Sequence, residues 1–294
     1  MTESEPKVYT GEGTNTLNLE GNFMADGNDG AIWVKEGAQL TINGTDETEV
    51  QATLGADNYS MAVWAQSEGT KVVINGGYYT NKTDGTDRGT DLIYASEGAQ
   101  IEINGGKFEA AKTEWTLNCK DNTTSKITVK GGTFYKFDPS NTIVGEGEIV
   151  VPDGYRVVKN GDWYTVHKEN TITIEEVEGG TVSATLTKAI VGETVELTAT
   201  PDESYELKSL NVITAADAEV KLTDGKFVMP DTAVIVIAEF TEISVEPEQP
   251  ERPARRPVHP QLRLRHGRGC RQDLPQGLYP PSEGCGGGLS GPER

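Results

Sequence analysis

Arginine, histidine and cysteine are almost missing from the first 245 residues of this 294-residue chain, which hold two Arg, one His and one Cys. With His167 as the single histidine there, no histidine-based triad or histidine metal cluster can be assembled from that region. Basic charge of any kind is scarce. The same stretch carries 16 Lys against 40 Asp and Glu, a net charge of −22. A surface of that sign repels a phosphate backbone, which argues against nucleic acid as a partner. No apolar run is long enough to span a membrane, and no signal-peptide core opens the chain.

What is present is a phrase that repeats. Ala31-Ile-Trp-Val-Lys-Glu-Gly-Ala-Gln-Leu-Thr-Ile-Asn-Gly44 returns as Ala62-Val-Trp-Ala with Lys71-Val-Val-Ile-Asn-Gly76, and again as Leu92-Ile-Tyr-Ala with Gln100-Ile-Glu-Ile-Asn-Gly105. Self-similarity at about 20 to 35 residues, carried by short strands, marks a solenoid. Anchored on Glu20-Gly21, Asn43-Gly44, Asn75-Gly76, Asn104-Gly105 and Lys130-Gly131, the steps run from 23 to 32 residues. A fixed strand-turn core with variable loops fits stacked strand coils better than a helical repeat. Strand alternation then predicts inward columns Leu17/Leu40/Val72/Ile101/Ile127 and Leu19/Ile42/Ile74/Ile103/Val129, with Asn18, Thr41, Val73, Glu102 and Thr128 facing water.

The strand before each turn predicts two further columns, Ile32/Val63/Ile93/Leu117 and Val34/Ala65/Ala95/Cys119. Cys119 therefore reads as a small buried hydrophobe. After each turn a glycine pair permits a sharp bend, and Tyr79, Phe108 and Phe134 follow at one offset as an aromatic column. Between the two inward columns of the first strand lie Trp33, Trp64 and Tyr94, predicted to form an outward stripe about 5 Å per step. Ring faces pack on the apolar faces of sugars, so this stripe is the candidate glycan-binding platform; the competing reading is an aromatic ladder partly covered by loops.

On these residues the fold class is all-β. Residues 1–134 resemble a right-handed parallel β-helix of about five coils, of the pectate-lyase-like superfamily and of the β-helical stretches of bacterial adhesin-like surface proteins. The handedness comes from that resemblance and from the preference of parallel crossovers. Residues 135–168 read as a cap over an otherwise exposed sheet edge. Phe137-Asp-Pro139 breaks the repeat, Glu148–Val151 is a last strand, and Asn160-Gly161-Asp162 turns a hairpin. The N-terminal end shows no comparable cap, so either a loop folds over it or the natural protein continues upstream.

From Thr171 the pattern changes to Gly179-Gly-Thr-Val182, Gly192-Glu-Thr-Val-Glu-Leu-Thr-Ala-Thr-Pro201, Tyr205-Glu-Leu207, Phe227-Val-Met-Pro230 and Val234–Phe240. Residues 170–243 resemble the divergent internalin-B-type bacterial repeat, a small all-strand stalk module. They depart from it at Ser204, where Gly commonly precedes the Tyr, and at Leu210, where Trp is frequent. Proteins of these families are exported, which implies an extracellular or cell-surface location and reads the missing signal as truncation. A cytoplasmic home is the other reading.

The resemblance to lyases raises catalysis. Such enzymes need Ca²⁺-binding carboxylates and a basic residue, and glycosidases need two flanking carboxylates. The β-helix offers Arg88 as its one guanidinium. The densest acidic loop, Thr83 to Asp91, could bring Asp84, Asp87 and Asp91 onto Ca²⁺; a smaller one runs from Asp26 to Gly30. Ordinary turn chemistry explains these strings better, so no cofactor is expected and no catalytic residue is assigned. The expected function is a non-enzymatic module of a secreted or surface-attached bacterial protein that contacts a host or microbial surface glycan or protein. The alternative is a carbohydrate-active β-helix, a polysaccharide lyase or phage tailspike-like depolymerase.

Residues 244–294 depart from everything before them. From 246 onward the chain has eight Arg and no Lys, 9 of the 14 Pro, and a net charge of +2. It reads as a disordered basic tail or, preferably, as translation out of frame after the Pro/Glu stretch Val245–Pro250. In the second reading the true C-terminus and any wall anchor are replaced. Sequencing the gene across codons 240–255 is expected to show a shifted frame, and an in-frame read to residue 294 would refute it.

Overall fold

The computed structural model describes residues 3–26, 30–53, 60–81, 90–120, 124–141 and 147–244. Among these the chain is all-β, with one 3-10 turn at Thr113–Trp115 and no α-helix. Each repeat contributes three short strands to three parallel sheets. The first sheet stacks Lys7–Thr10, Ile32–Lys35, Val63–Gln66, Ile93–Ser96 and Leu117–Cys119, five rungs and so four full turns from first to last. The second stacks Thr14–Asn18, Gln39–Asn43, Lys71–Ile74, Gln100–Ile103, Lys126–Val129 and Glu148–Val150. The third stacks Glu3–Ser4, Phe23–Asp26, Glu49–Thr53, Tyr78–Asn81, Lys107–Glu109 and Thr133–Tyr135.

The interior is built of like residues stacked on like. Ile32, Val63, Ile93 and Leu117 are in register on the first sheet, as are Val34, Ala65, Ala95 and Cys119. All eight are buried. On the third sheet the aromatic column forms, with Tyr79 and Phe108 centroids 5.1 Å apart at 8° and Phe108 and Phe134 4.8 Å apart at 9°. Parallel offset stacking of this kind adds about 0.5–1.5 kcal/mol per pair beyond burial. The Tyr79 hydroxyl, raised by burial, donates to the Gly76 carbonyl at 2.9 Å, so its polar end is satisfied inside the core.

The corner between the second and third sheets explains the Asn-Gly phrase. Asn43, Asn75 and Asn104 each donate a side-chain amide hydrogen to the asparagine one rung below, Asn18, Asn43 and Asn75 respectively, at 2.9, 2.9 and 3.1 Å. The glycine that follows is required by space: a Cβ on Gly76 would lie 2.2 Å from the Gly44 carbonyl oxygen.

This ladder corrects the register expected for the first coil. Leu17 pairs with Ile42 and not with Leu40; Asn15 faces Leu40, and Asn18 faces Asn43. The equivalent turn is thus Asn18-Leu19 and not Glu20-Gly21, and Leu19 falls beyond the strand. A shift of two residues keeps every side chain on the same face of a strand, so hydrophobic alternation cannot detect it. The amide hydrogen bond can.

At its far end the solenoid is closed by a hairpin. Tyr155–Asn160 pairs antiparallel with Trp163–Ile174, whose first residues pair antiparallel with Thr133–Tyr135. Trp163–Ile174 is a single 12-residue strand, and its later residues pair with Lys188–Ile190 and with Val234–Glu242. The third sheet therefore continues by hydrogen bonds through the cap into residues 170–244. There a second core gathers Ile172, Val195, Leu197, Val212, Phe227, Met229, Val234 and Val236 between that sheet and a three-stranded one, Gly180–Ala184, Thr194–Pro201 and Lys226–Val228. The glycine pair at 179–180 is compulsory, because a Cβ there would meet the Tyr205 ring at 2.4 Å and the Phe240 ring at 2.6 Å.

Ser204, one of the two departures from the internalin-type pattern, sits in the left-handed region with φ +71°. An L side chain in that region costs about 1 kcal/mol that glycine avoids. Ser204→Gly is expected to raise stability by about 0.5–1 kcal/mol, measured as a shift of the urea midpoint.

Candidate functional site

The first sheet's outward residues are in register as Val8, Trp33, Trp64, Tyr94 and Asn118. The structure thus brings the three predicted aromatics into one strip, each half-buried. Trp33 and Trp64 stack with centroids 5.2 Å apart at 15°, and Trp64 and Tyr94 lie 6.2 Å apart at 38°. Their ring faces are turned toward each other along the solenoid axis. Lys35 Nζ lies 3.6 Å from the Trp33 ring centroid, and the two indole N–H groups donate to Gln66 Oε1 at 3.2 Å and Ser96 Oγ at 2.8 Å. What the strip offers solvent is a row of ring edges with one ammonium at its end.

Of the three carboxylates considered for calcium, Asp84 and Asp87 lie outside the described residues, as does Arg88. Asp91 is buried at the start of the Ile93–Ser96 rung and accepts a hydrogen bond from Asn118 Nδ2 at 3.0 Å. The Asn118 Oδ1 atom beside it is buried without a partner. Among the described residues no three His, Cys, Asp or Glu side chains gather closely enough to hold a metal ion. Cys119 is in the core column, its thiol pushed up to about 12 by burial, so it stays a thiol at neutral pH.

A feature absent from the sequence reading lies on the outer face of the third sheet. Glu49, Tyr78 and Lys107 are in register there, and Gln51, Thr80 and Glu109 form the next row. Glu49, Tyr78, Thr80, Asn81, Glu109, Ala110 and Ala111 line a groove of about 240 Å³. Tyr78 Oη donates to Glu109 Oε2 at 2.6 Å, and Thr80 Oγ1 donates to Glu49 Oε1 at 2.7 Å. Burial, with Glu109 and Glu49 nearby, raises the Tyr78 hydroxyl and keeps it a donor. The available signal was Tyr78 itself, the outward neighbour of a core aromatic. Its significance depends on Glu49 and Glu109, 29 and 31 residues away, being one rung to either side.

Burial raises the Asp91 carboxyl from its ordinary 3.8 to about 6, partly offset by the Asn118 hydrogen bond. The folded state therefore holds this proton more tightly than the unfolded chain does. Its contribution to stability is complete below pH 3.8 and lost as pH rises through about 6. Asp91→Asn removes the buried charge and supplies a donor beside Asn118. The variant is expected to be more stable than wild type by about 2–3 kcal/mol at pH 7.5, with the difference shrinking toward pH 4. Urea titrations across that range would check it, and a pH-independent difference would show that Asp91 does not titrate as described.

Among the described residues no helix is long and apolar enough to cross a membrane. No curated protein and no solved structure matches the chain. Residues 170–244, the segment bounded by the continuous Trp163–Ile174 strand and the end of Val234–Glu242, match the family model of the divergent InlB B-repeat domain, so this part of the chain is similar to a bacterial surface-type repeat.

Proposed function

We propose that the chain is a non-enzymatic module of a secreted or cell-surface bacterial protein, adhesin-like, in which a β-helix of the pectate-lyase-like type makes contact with a surface glycan or protein. The repeat domain carries it as a stalk. The observation that supports this reading best is the unbroken 12-residue strand Trp163–Ile174, which belongs at once to the solenoid's cap and to the InlB-type repeat. A hydrogen-bonded sheet running through both parts resists bending at the junction, which suits an element that must hold a contact surface away from its attachment.

The contact surface in this reading is the Trp33, Trp64, Tyr94 strip. Ring edges carry positive partial charge, so the strip suits ligand oxygens at its rim and apolar area along its length. The Lys35 ammonium over Trp33 adds one donor at the end. The repeat's resemblance to exported stalk modules supports an extracellular setting.

Trp33→Ala combined with Trp64→Ala is expected to weaken binding to a glycan array or to a surface-protein extract by at least about tenfold, while the far-ultraviolet β spectrum is kept. Unchanged binding would leave the strip as a structural ladder. Incubation with acidic polysaccharides tests the non-enzymatic part separately, and chain shortening would overturn it.

A further inference from the structure

The groove on the third sheet is a second surface, independent of the aromatic strip, and its chemistry is different. Each of its two carboxylates is held by hydroxyls from the neighbouring rung: Tyr78 on Glu109, and Thr80 on Glu49, with Gln51 Nε2 also donating to Glu49 Oε1 at 3.0 Å. One oxygen of each carboxylate is thereby committed. Glu49 Oε2 and Glu109 Oε1 have no hydrogen-bond partner among the described residues, and neither carboxylate has an ion-pair partner among them.

Two oriented carboxylates facing one groove are strong acceptors awaiting donors. Ala110 and Ala111 line the groove with small side chains just past the end of the Lys107–Glu109 strand. The same face continues past Glu109 into aromatic surface. Tyr135 and Trp163 lie 5.1 Å apart and tilted by 56°, so their faces are not stacked on each other. Lys107 Nζ sits between rings, 4.7 Å from the Tyr78 centroid and 4.8 Å from that of Trp163. Carboxylate acceptors, the Lys107 ammonium, the Lys136 ammonium 5.0 Å from the Tyr135 centroid, and aromatic rings not stacked on one another share this sheet face.

We propose that this face, centred on the groove between Glu49 and Glu109, binds a neutral oligosaccharide. A pyranose ring presents paired hydroxyl donors at its edge and apolar C–H groups on its faces. The free carboxylate oxygens take the hydroxyls, and the sides of the Tyr78, Trp163 and Tyr135 rings not covered by Lys107 and Lys136 take the sugar's C–H faces. Uronic acid polymers are disfavoured, since a ligand carboxylate entering the groove would approach two protein carboxylates, while Lys107 sits over the Tyr78 and Trp163 rings and is ion-paired to neither carboxylate. A bare divalent cation is poorly served, because Ca²⁺ takes about six to eight oxygens and the groove frees two carboxylate atoms.

The test is isothermal titration of the full chain with neutral tri- to hexasaccharides built from glucose, galactose, mannose or N-acetylglucosamine, alongside an oligogalacturonate. At least one neutral series should bind, and the uronate should not. Glu49→Gln with Glu109→Gln keeps the shape and the internal acceptors but removes the charge, and should weaken binding by at least about tenfold. Ala111→Trp fills the groove from an exposed position and should abolish binding without touching the carboxylates. Trp33→Ala with Trp64→Ala should leave this binding intact, which separates failure of this site from failure of the strip. The proposal is overturned if no neutral oligosaccharide binds at millimolar concentration, if both groove variants bind as wild type does, or if calcium alone binds the groove and neutral sugar does not.

Discussion

Everything in the solenoid follows from the distance between its rungs. Parallel strands stack at about 4.8 Å, so each residue's nearest neighbours are the residues at its own position one coil above and one coil below. Whatever stands at a position must pack on its counterparts in the adjacent coils. Asparagine satisfies this through its amide, which donates to the rung below and accepts from the rung above, in the ladder from Asn104 through Asn75 and Asn43 to Asn18. Flat rings satisfy it by stacking, as Tyr79, Phe108 and Phe134 do inside and Trp33 and Trp64 do outside. Glycine satisfies it where the backbones come too close for any side chain, as at Gly76 against Gly44.

The same rule separates structural positions from those left over for recognition. A column of like residues uses its own interaction capacity internally; the Trp33 and Trp64 indole N–H groups and ring faces are largely occupied this way. A column of unlike residues cannot close on itself so completely. Glu49, Tyr78 and Lys107 occupy equivalent positions on three consecutive rungs, and the neighbouring row reads Gln51, Thr80, Glu109. Hydroxyls there orient carboxylates, yet among the described residues one oxygen of each carboxylate has no partner.

The ends of the stack are governed by the opposite requirement, to stop stacking. Antiparallel pairing of Trp163–Ile174 against Thr133–Tyr135 consumes the last edge of the third sheet, and the strand then turns that edge into the first strand of another core. Arg156 of the hairpin pairs with Glu193 and lies 3.3 Å from Glu169, adding an ionic tie between cap and repeat. The Glu193 carboxyl is held below the usual carboxylate range by Arg156 and also accepts from the Ile190 amide at 3.1 Å. The junction is thus a continuation of structure, with its own side-chain brace.

The amino-acid sequence by itself determined the class of fold, the inward columns of the second to fifth coils, the interior aromatic stack and the hairpin at Asn160-Gly161, because each rests on local alternation or turn chemistry repeated along the chain. Its glycines and prolines also carried the resemblance of residues 170–243 to the InlB-type repeat, whose family model matches residues 170–244. Only the tertiary structure decided the register of the first coil, since a two-residue slip leaves every side chain on the same face and the Asn18 to Asn43 contact acts between coils. Only the tertiary structure assembled the Glu49, Tyr78 and Glu109 groove and buried Asp91 against Asn118. These contacts join residues about one coil apart whose spacing varies with loop length, and stacking, not sequence distance, sets which of them meet.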